Sequence, residues 1–158
     1  MERSVHTLQQ IHRETLEEEA THATDEARMV LPGVQAVLGF QLIAVFNQRF
    51  ELFSPAEQVV HLAAFLLVAV AMGLMMTPAA YHRQVERGSV SRRFVDLSST
   101  LLTVAMIPLI AGICLDTYLI ARLILAEPLA AAAVAGTVAA VLASLWFALP
   151  AFCRRLES

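Results

Sequence analysis

Two polar residues inside apolar stretches of this sequence are of a type that could carry chemistry. Asp116 lies within one apolar run, and His61 lies at the start of another. An ionisable side chain within a membrane helix is costly, so it indicates a functional site unless another reason is found. Asn47, Arg49 and Arg122 flank the same ends of the apolar runs. Together the five residues form a candidate intramembrane site for a proton or a monovalent cation.

The same residues also allow a structural interpretation. Arg122 follows Asp116 by about 9 Å along a helix, so the carboxylate can be shallowly immersed and paired with Arg122 or Arg49 as a clamp. Gly112 lies about one turn before Asp116 and would let a neighbouring helix pack closely there. Gln35 and Gln41, within the first apolar run, are expected to hydrogen-bond to a neighbouring helix, and a pore lining is the alternative.

A second polar group is expected where the first apolar run begins and the second ends. In an antiparallel hairpin these ends lie side by side. The candidate cytoplasmic-face cluster comprises Glu26, Arg28, Gln35, His82, Arg83 and Asp96. It can form a polar vestibule containing a histidine, the side chain that changes charge near neutral pH. It can equally be ordinary anchoring of polar residues at a membrane interface.

A weak metal motif lies near the N-terminus. Glu19 and His22 have the Glu-x-x-His spacing found twice in carboxylate di-iron bundles, but this chain contains it once. The alternative is a solvated acidic helix. The sequence also lacks a P-loop, a Gly-x-Ser-x-Gly elbow, a Cys-x-x-Cys pair and a His-Glu-x-x-His motif. We therefore expect no metal, no cofactor and no enzyme activity. The distant alternative is an intramembrane enzyme, for which only Asp116 with His61 offers a dyad.

Composition indicates which solvent surrounds these residues. The chain has 158 residues, 58% of them hydrophobic and 16% charged, and its mean hydropathy is +0.64. Soluble domains carry about 25% charged residues, so a soluble globular protein is excluded. The net charge is −3, which gives no electrostatic basis for binding nucleic acid. The expected surroundings are a lipid bilayer.

The apolar residues fall into four runs, each long enough to cross the hydrocarbon core of about 30 Å. We predict an all-α fold, a four-helix transmembrane bundle over residues 29–153, preceded by a polar cytoplasmic or interfacial helix at 1–28 and followed by a cytoplasmic tail at 154–158. The predicted membrane helices cover about 29–49, 59–81, 97–120 and 129–152.

Local signals place the ends of these helices. Ser54-Pro55-Ala56-Glu57 has the form of a capping box and predicts the start of the second helix. Asp96 is placed to cap the third helix, and Pro32 is expected in the first turn of the first.

The arginines predict the orientation. One side of the predicted topology carries Arg3, Arg13, Arg28, Arg83, Arg87, Arg92, Arg93, Arg154 and Arg155. The other side carries Arg49 and Arg122. Because positively charged loops remain in the cytoplasm, we expect a multi-pass protein of the bacterial inner membrane with both termini cytoplasmic.

Several short motifs resemble an uncharacterised bacterial family of small four-span membrane proteins that carry a domain of unknown function. The motifs are Glu26-x-Arg28, Gly33-Val34-Gln35, Phe40, Phe46, Phe50 and Pro78-Ala79-Ala80-Tyr81-His82-Arg83. The resemblance covers about 26–95 and continues more loosely beyond. It implies four helices and an inner-membrane location, and some members carry an automatic sodium:proton antiporter label. It supplies no catalytic residues.

Two functions follow from these observations. The first is an accessory or scaffolding subunit, as a homo-oligomer or within a larger membrane complex, because Ala132, Gly136, Ala140 and Ser144 form a stripe of small residues that favours close helix packing. The alternative is a homo-oligomeric proton or monovalent-cation channel or transporter that uses Asp116 and His61.

Overall fold

The structure is a computed structural model that describes the backbone of residues 2–85 and 91–157 and the side chains of 18–22, 24–85 and 91–156. The helices are α1 (Glu2–Val45), α2 (Pro55–Val85), α3 (Arg92–Leu125), α4 (Pro128–Ala143) and α5 (Leu149–Glu157). A 3₁₀ helix, Gln48–Leu52, connects α1 to α2, and a π-helical segment, Ser144–Ala148, joins α4 to α5. The described part of the chain is all-helical, as predicted.

The polar N-terminal segment and the first apolar run form one continuous helix, α1. The expected first span extends to Arg49, but α1 ends at Val45 because Asn47 caps the 3₁₀ helix: its Oδ1 accepts a hydrogen bond from the Arg49 amide at 2.9 Å. Pro32 lies inside α1 and not in a first turn, so that prediction was wrong. An apolar helix tolerates an interior proline where neighbouring groups satisfy the freed carbonyl.

The predicted start of α2 is confirmed by its capping box. The Ser54 amide donates to Glu57 Oε2 at 2.8 Å, and the Glu57 amide donates to Ser54 Oγ at 3.3 Å. The cap predicted for α3 was wrong. This helix begins at Arg92, and Ser91 Oγ accepts from the Phe94 amide at 3.2 Å, so Asp96 lies inside the helix.

The chain forms two compact units, and α1, α2 and α3 contribute to both. Unit 1 consists of Met1–Gln35 and Met72–Ala105. Within it the side chains of Val34, Met75 and Phe94 are buried. The Phe94 ring stacks against Tyr81 with centroids 6.2 Å apart, so this aromatic residue joins α2 to α3.

Unit 2 consists of Ala36–Ala71 and Met106–Ser158. Its centre is a close approach of α2 and α3 at Gly112. A Cβ atom added to Gly112 would lie 2.7 Å from Val68 Cγ2 and 3.0 Å from the Ala64 carbonyl oxygen. The prediction that Gly112 permits close helix packing beside Asp116 is therefore confirmed.

Four helical stretches are long and apolar enough to cross a membrane: Glu18–Val45, Pro55–Val85, Arg92–Leu125 and Pro128–Leu156. Many large apolar side chains on these helices are exposed, and none of the apolar window of the last stretch is buried. A soluble monomer rarely exposes so much apolar surface, so these helices are those of a membrane protein.

Candidate functional site

The candidate site in unit 2 is formed by Asp116, His61 and Gln41, which α3, α2 and α1 contribute; we call these three residues the Asp116 site. His61 Nδ1 lies 3.3 Å from Asp116 Oδ1, and Gln41 Nε2 donates a hydrogen bond to Asp116 Oδ2. His61 Nε2 lies 3.0 Å from the backbone carbonyl oxygen of Gln41. His61 and Gln41 are 7% and 4% exposed.

This geometry restricts where protons lie on His61. A carbonyl oxygen only accepts hydrogen bonds, so Nε2 must carry the proton of that contact. The bare lone pair of Nδ1 would then repel an ionised Asp116 oxygen. The contact is favourable when one further proton is present, either on Nδ1, which gives an ion pair, or on Oδ1, which gives a neutral pair. The site can thus hold and release one proton.

Two oxygen atoms of the site have no hydrogen-bond donor among the described residues. Gln41 Oε1 and Asp116 Oδ1 are both buried and make no hydrogen bond within that part of the chain. His61 Nδ1 lies 3.3 Å from Oδ1 as an ion-pair contact and not as a hydrogen bond. A buried acceptor without a donor costs about 1–3 kcal/mol, and a proton on Asp116 or a cation close to its carboxylate would offset part of this cost.

The elements around the site hold it in place. His61 and Ala64 lie on one face of α2, and Gly112 lies about one turn before Asp116 on α3. Because Gly112 lets the two backbones approach closely, the histidine reaches the carboxylate. The Phe50 ring packs edge-on against His61 with centroids 5.4 Å apart, and this contact restricts the imidazole further.

A cavity of about 390 Å³ reaches the Asp116 site. Its walls include all three site residues and are otherwise mostly apolar, with Phe40 from α1 and Phe53 from the connector before α2. The carboxylate is therefore accessible to a small ligand while the surrounding walls remain apolar. This combination of a largely apolar cavity with a few convergent polar groups is typical of ligand sites.

The arginines proposed as clamp partners do not contact Asp116. Arg122 Nε instead lies 3.7 Å from Glu57 Oε1, and no ion pair links Arg49 to Asp116 within the described side chains. Asn47 caps the 3₁₀ helix and does not line the cavity. Of the five residues expected at this site, the structure brings Asp116 and His61 together, while the other three form no ion pair with Asp116 and do not line the cavity.

Gln41 was not among the five residues expected at this site. It was expected first to hydrogen-bond between helices, with a pore lining as the alternative, and the structure shows a hydrogen bond between helices whose partner is the Asp116 carboxylate. A polar amide within an otherwise apolar run was the available signal. The pairing itself depends on how α1 packs beside α3, which residue spacing within one helix does not encode.

The cytoplasmic-face cluster is only partly assembled in unit 1. Arg28, His82 and Arg83 line a cavity of about 550 Å³. Glu26 and Gln35 are exposed and do not line it. Asp96, the remaining member of the cluster, forms an ion pair with Arg92 at 3.9 Å. Arg28 forms an ion pair with Asp25 at 3.4 Å, and Asp25 was not expected in the cluster.

The weak metal motif forms an ion pair instead of a metal site. Glu19 Oε2 lies 3.3 Å from Arg92 Nη1, and His22 is exposed. Among the side chains that the structure describes, no group of three His, Cys, Asp or Glu residues is placed to hold a metal ion. Arg3, Arg13 and Arg87 from the orientation argument lie outside the described side chains.

Comparison with known proteins identifies the family without a function. No curated protein and no solved structure matches this chain. One family model, described as a family of unknown function (DUF6328), matches residues 10–150. This match includes all three residues of the Asp116 site, the first three apolar helical stretches in full and the fourth as far as residue 150. The chain therefore belongs to the DUF6328 family.

Proposed function

We propose that this protein moves a proton and a monovalent cation across the bacterial inner membrane through the Asp116 site. The observation that carries this proposal is the pairing of Asp116 with His61 and Gln41, and not with an arginine. An arginine clamp would hold the carboxylate permanently ionised and occupied. A histidine and an amide leave it able to exchange a proton for a cation.

The position of the site supports the same proposal. Asp116 lies within one of the four apolar stretches, and a cavity of about 390 Å³ reaches it. Ionisable residues in membrane helices are rare and commonly mark ion or proton pathways. The asymmetric distribution of arginines supports an orientation with both termini in the cytoplasm.

Flux through reconstituted vesicles tests the proposal. Proton movement would be followed with a trapped pH indicator, under an imposed membrane potential and under gradients of Na⁺, K⁺ or an organic ammonium ion. We expect wild-type vesicles to move protons in at least one condition. Asp116→Asn is expected to reduce the movement to that of protein-free vesicles, because the amide cannot exchange a proton.

Asp96→Asn is the matched control. Asp96 lies on the same helix and undergoes the same chemical change, but it belongs to unit 1 and is exposed. Its substitution should leave the flux unchanged. Failure of the wild type to move any of these ions, or equal flux in Asp116→Asn and wild type, would exclude the proposed function.

Self-assembly is a second candidate function, and the exposure of α4 favours it. No residue in the apolar window of the stretch Pro128–Leu156 is buried. Gly136, Ala140 and Ser144 line an open groove on this helix, as expected for a stripe of small residues that receives another helix. We propose that a second copy of the chain packs on this groove. Co-purification of a different membrane protein at fixed stoichiometry would favour a heteromeric complex instead.

A further inference from the structure

We propose that the cation taken by the Asp116 site is an organic ammonium ion with an apolar body. The inference rests on the proposed function, because it names the cation that the same site binds. The site combines one acidic group and unpartnered buried oxygens with a wall of aromatic and aliphatic side chains. An ammonium ion with an apolar substituent complements both parts.

The polar end of the site suits a cation that needs few ligands. Among the described residues, Gln41 Oε1 and Asp116 Oδ1 are buried acceptors without a donor, and they belong to contacting side chains. The positive charge of an ammonium group in the cavity would neutralise the carboxylate, and its field would reach both enclosed oxygens at short range. The cost of leaving these acceptors unpaired would then be lowered on binding.

A bare metal ion finds too few oxygens here. Hard divalent cations take six or more oxygen ligands, and K⁺ sites replace the hydration shell with rings of carbonyl oxygens. The Thr117 hydroxyl is held by its hydrogen bond to the Ile113 carbonyl oxygen at 2.7 Å, and Gln41 Oε1 and Asp116 Oδ1 are both buried. Because the rest of the described cavity wall is mostly apolar, it offers a metal ion fewer oxygens than such a site needs.

The rest of the cavity suits an apolar substituent. Its apolar lining residues are Val37, Phe40, Ala44, Phe53, Ile113, Leu119 and Ile120. A volume of about 390 Å³ lies within the usual range of small-molecule pockets. The two phenylalanine rings can also attract a quaternary ammonium group through their faces, as aromatic cages do.

Binding is an exchange of one proton for one cation. The empty site holds one proton between His61 and Asp116 and has no net charge. When the ammonium ion pairs with the Asp116 carboxylate, this proton leaves to water, and the loaded site is again neutral. The positive charge of the cation then offsets the repulsion between the Nδ1 lone pair and the ionised carboxylate. The only titratable side chain in contact with Asp116 within the described residues is His61 from α2; α1 contributes the uncharged Gln41, and Arg122 of α3 is paired with Glu57.

Equilibrium binding of radiolabelled benzyltrimethylammonium to the detergent-solubilised full chain tests this inference. Neopentylbenzene has nearly the same shape without the charge and serves as the competing neutral ligand. We expect unlabelled benzyltrimethylammonium to displace the label, with release of about one proton per cation bound. Neopentylbenzene, Na⁺ and K⁺ at equal concentration should displace little.

Substitutions in the cavity test whether benzyltrimethylammonium binds at the Asp116 site. Asp116→Asn should weaken binding by about tenfold or more, since a buried charge interaction is lost. Phe40→Ala should weaken it by about two- to fivefold through the loss of an aromatic face. Phe46→Ala is the matched control, because Phe46 is an exposed residue of the same type that does not line the cavity. Phe40 is 72% exposed, so its variant should fold even if Asp116→Asn does not.

The outcomes separate this inference from the proposed function. Equal displacement by neopentylbenzene, or an equal effect of Phe40→Ala and Phe46→Ala, would overturn the organic-cation assignment. Displacement by Na⁺ or K⁺ as strong as by the ammonium ion would also overturn it, while the proposed transport would stand. Binding without proton release would overturn the exchange. Binding as expected, without any flux in vesicles, would support the ligand assignment and exclude transport.

Discussion

His61 Nδ1 lies 3.3 Å from Asp116 Oδ1, while the opposite ring nitrogen lies 3.0 Å from the Gln41 carbonyl oxygen. The carbonyl fixes one nitrogen as a donor, so the proton that can come and go is confined to the side facing the carboxylate. Asp116 and His61 are therefore placed so that they could act as an acid–base pair. The third residue of the Asp116 site, Gln41, contributes both the carbonyl that orients the imidazole and the amide that donates to the other carboxylate oxygen.

Nitrogen NMR of ¹⁵N-histidine-labelled protein should detect this arrangement. We expect the Nε2 signal of His61 to remain that of a protonated nitrogen over the neutral pH range, because its acceptor is a backbone carbonyl. The Nδ1 signal should be the one that changes with proton loading. His61→Gln would identify the resonance by its disappearance.

Asp116→Asn provides the matching control for this measurement. The asparagine amide can donate to Nδ1, so His61 should then be neutral with its proton on Nε2. An exposed residue such as His82 should be unaffected by the substitution. A wild-type His61 with its single proton on Nδ1 would contradict the proposed hydrogen-bond pattern.

Gly112→Ala should disrupt the approach of α2 to α3. The new Cβ would lie 2.7 Å from Val68 Cγ2 and 3.0 Å from the Ala64 carbonyl oxygen, so the two helices must move apart. Overpacking of this kind costs about 1–3 kcal/mol of unfolding free energy. Thermal unfolding in detergent should show the loss, and ammonium binding at the Asp116 site should weaken in parallel.

Gly73→Ala is the control for the glycine substitution itself. Gly73 lies within α2, and a Cβ added there meets nothing within 4 Å. Because alanine favours a helix over glycine, this variant should be neutral or more stable by up to about 1 kcal/mol. Equal stability of the Gly112→Ala and Gly73→Ala variants would show that the close helix contact is not required.

The helical class and the four apolar stretches could be predicted from sequence because they depend on local composition. A run of apolar residues of the right length predicts a helix that crosses a membrane, and the capping box formed by Ser54 and Glu57 predicts where a helix begins. Gly112 was also predictable, since a small residue about one turn from a carboxylate suggests a close contact. Each of these signals is contained in one segment of the chain.

Side-chain partners could not be predicted in the same way. Asp116 could pair with an arginine or with a histidine, and the choice depends on the rotation of three helices about their axes. The structure shows that Arg122 forms an ion pair with Glu57, whose carboxylate also accepts a hydrogen bond from the Ser54 amide. With this arginine occupied, Asp116 contacts His61 and Gln41. The pairing thus follows from competition between partners on different helices.

Cys153 allows a direct test of the expected orientation. It is exposed on α5, near the two C-terminal arginines that indicate the cytoplasmic side. In a Cys114→Ser background, a membrane-impermeant maleimide should label Cys153 in inverted vesicles and not in intact cells. Glu51→Cys in a chain without Cys114 and Cys153 places a thiol in the predicted outer connection and should show the opposite pattern. Labelling of Cys153 from outside intact cells would reverse the proposed topology.

Gly136→Leu should weaken self-association if a second copy packs on the α4 groove. Gly136 lies in this groove between Ala133 and Ala140, and a Cβ there meets nothing within 4 Å inside one chain. A leucine would therefore be tolerated in the monomer but would fill the space a neighbouring helix needs. We expect the dimer dissociation constant, measured by sedimentation equilibrium in density-matched detergent, to rise about tenfold, which corresponds to about 1.4 kcal/mol.

Gly39→Leu is the matched substitution for this measurement. Gly39 lies on α1, outside the α4 groove, and an added Cβ there also meets nothing within 4 Å. Both variants replace glycine with leucine in an apolar helix. A difference between their dimer dissociation constants would therefore come from the position in the α4 groove and not from the added side-chain volume. If Gly136→Leu leaves the association unchanged, or if both variants weaken it equally, α4 is not the contact between copies. The exposed small-residue face would then pack against lipid or a different partner.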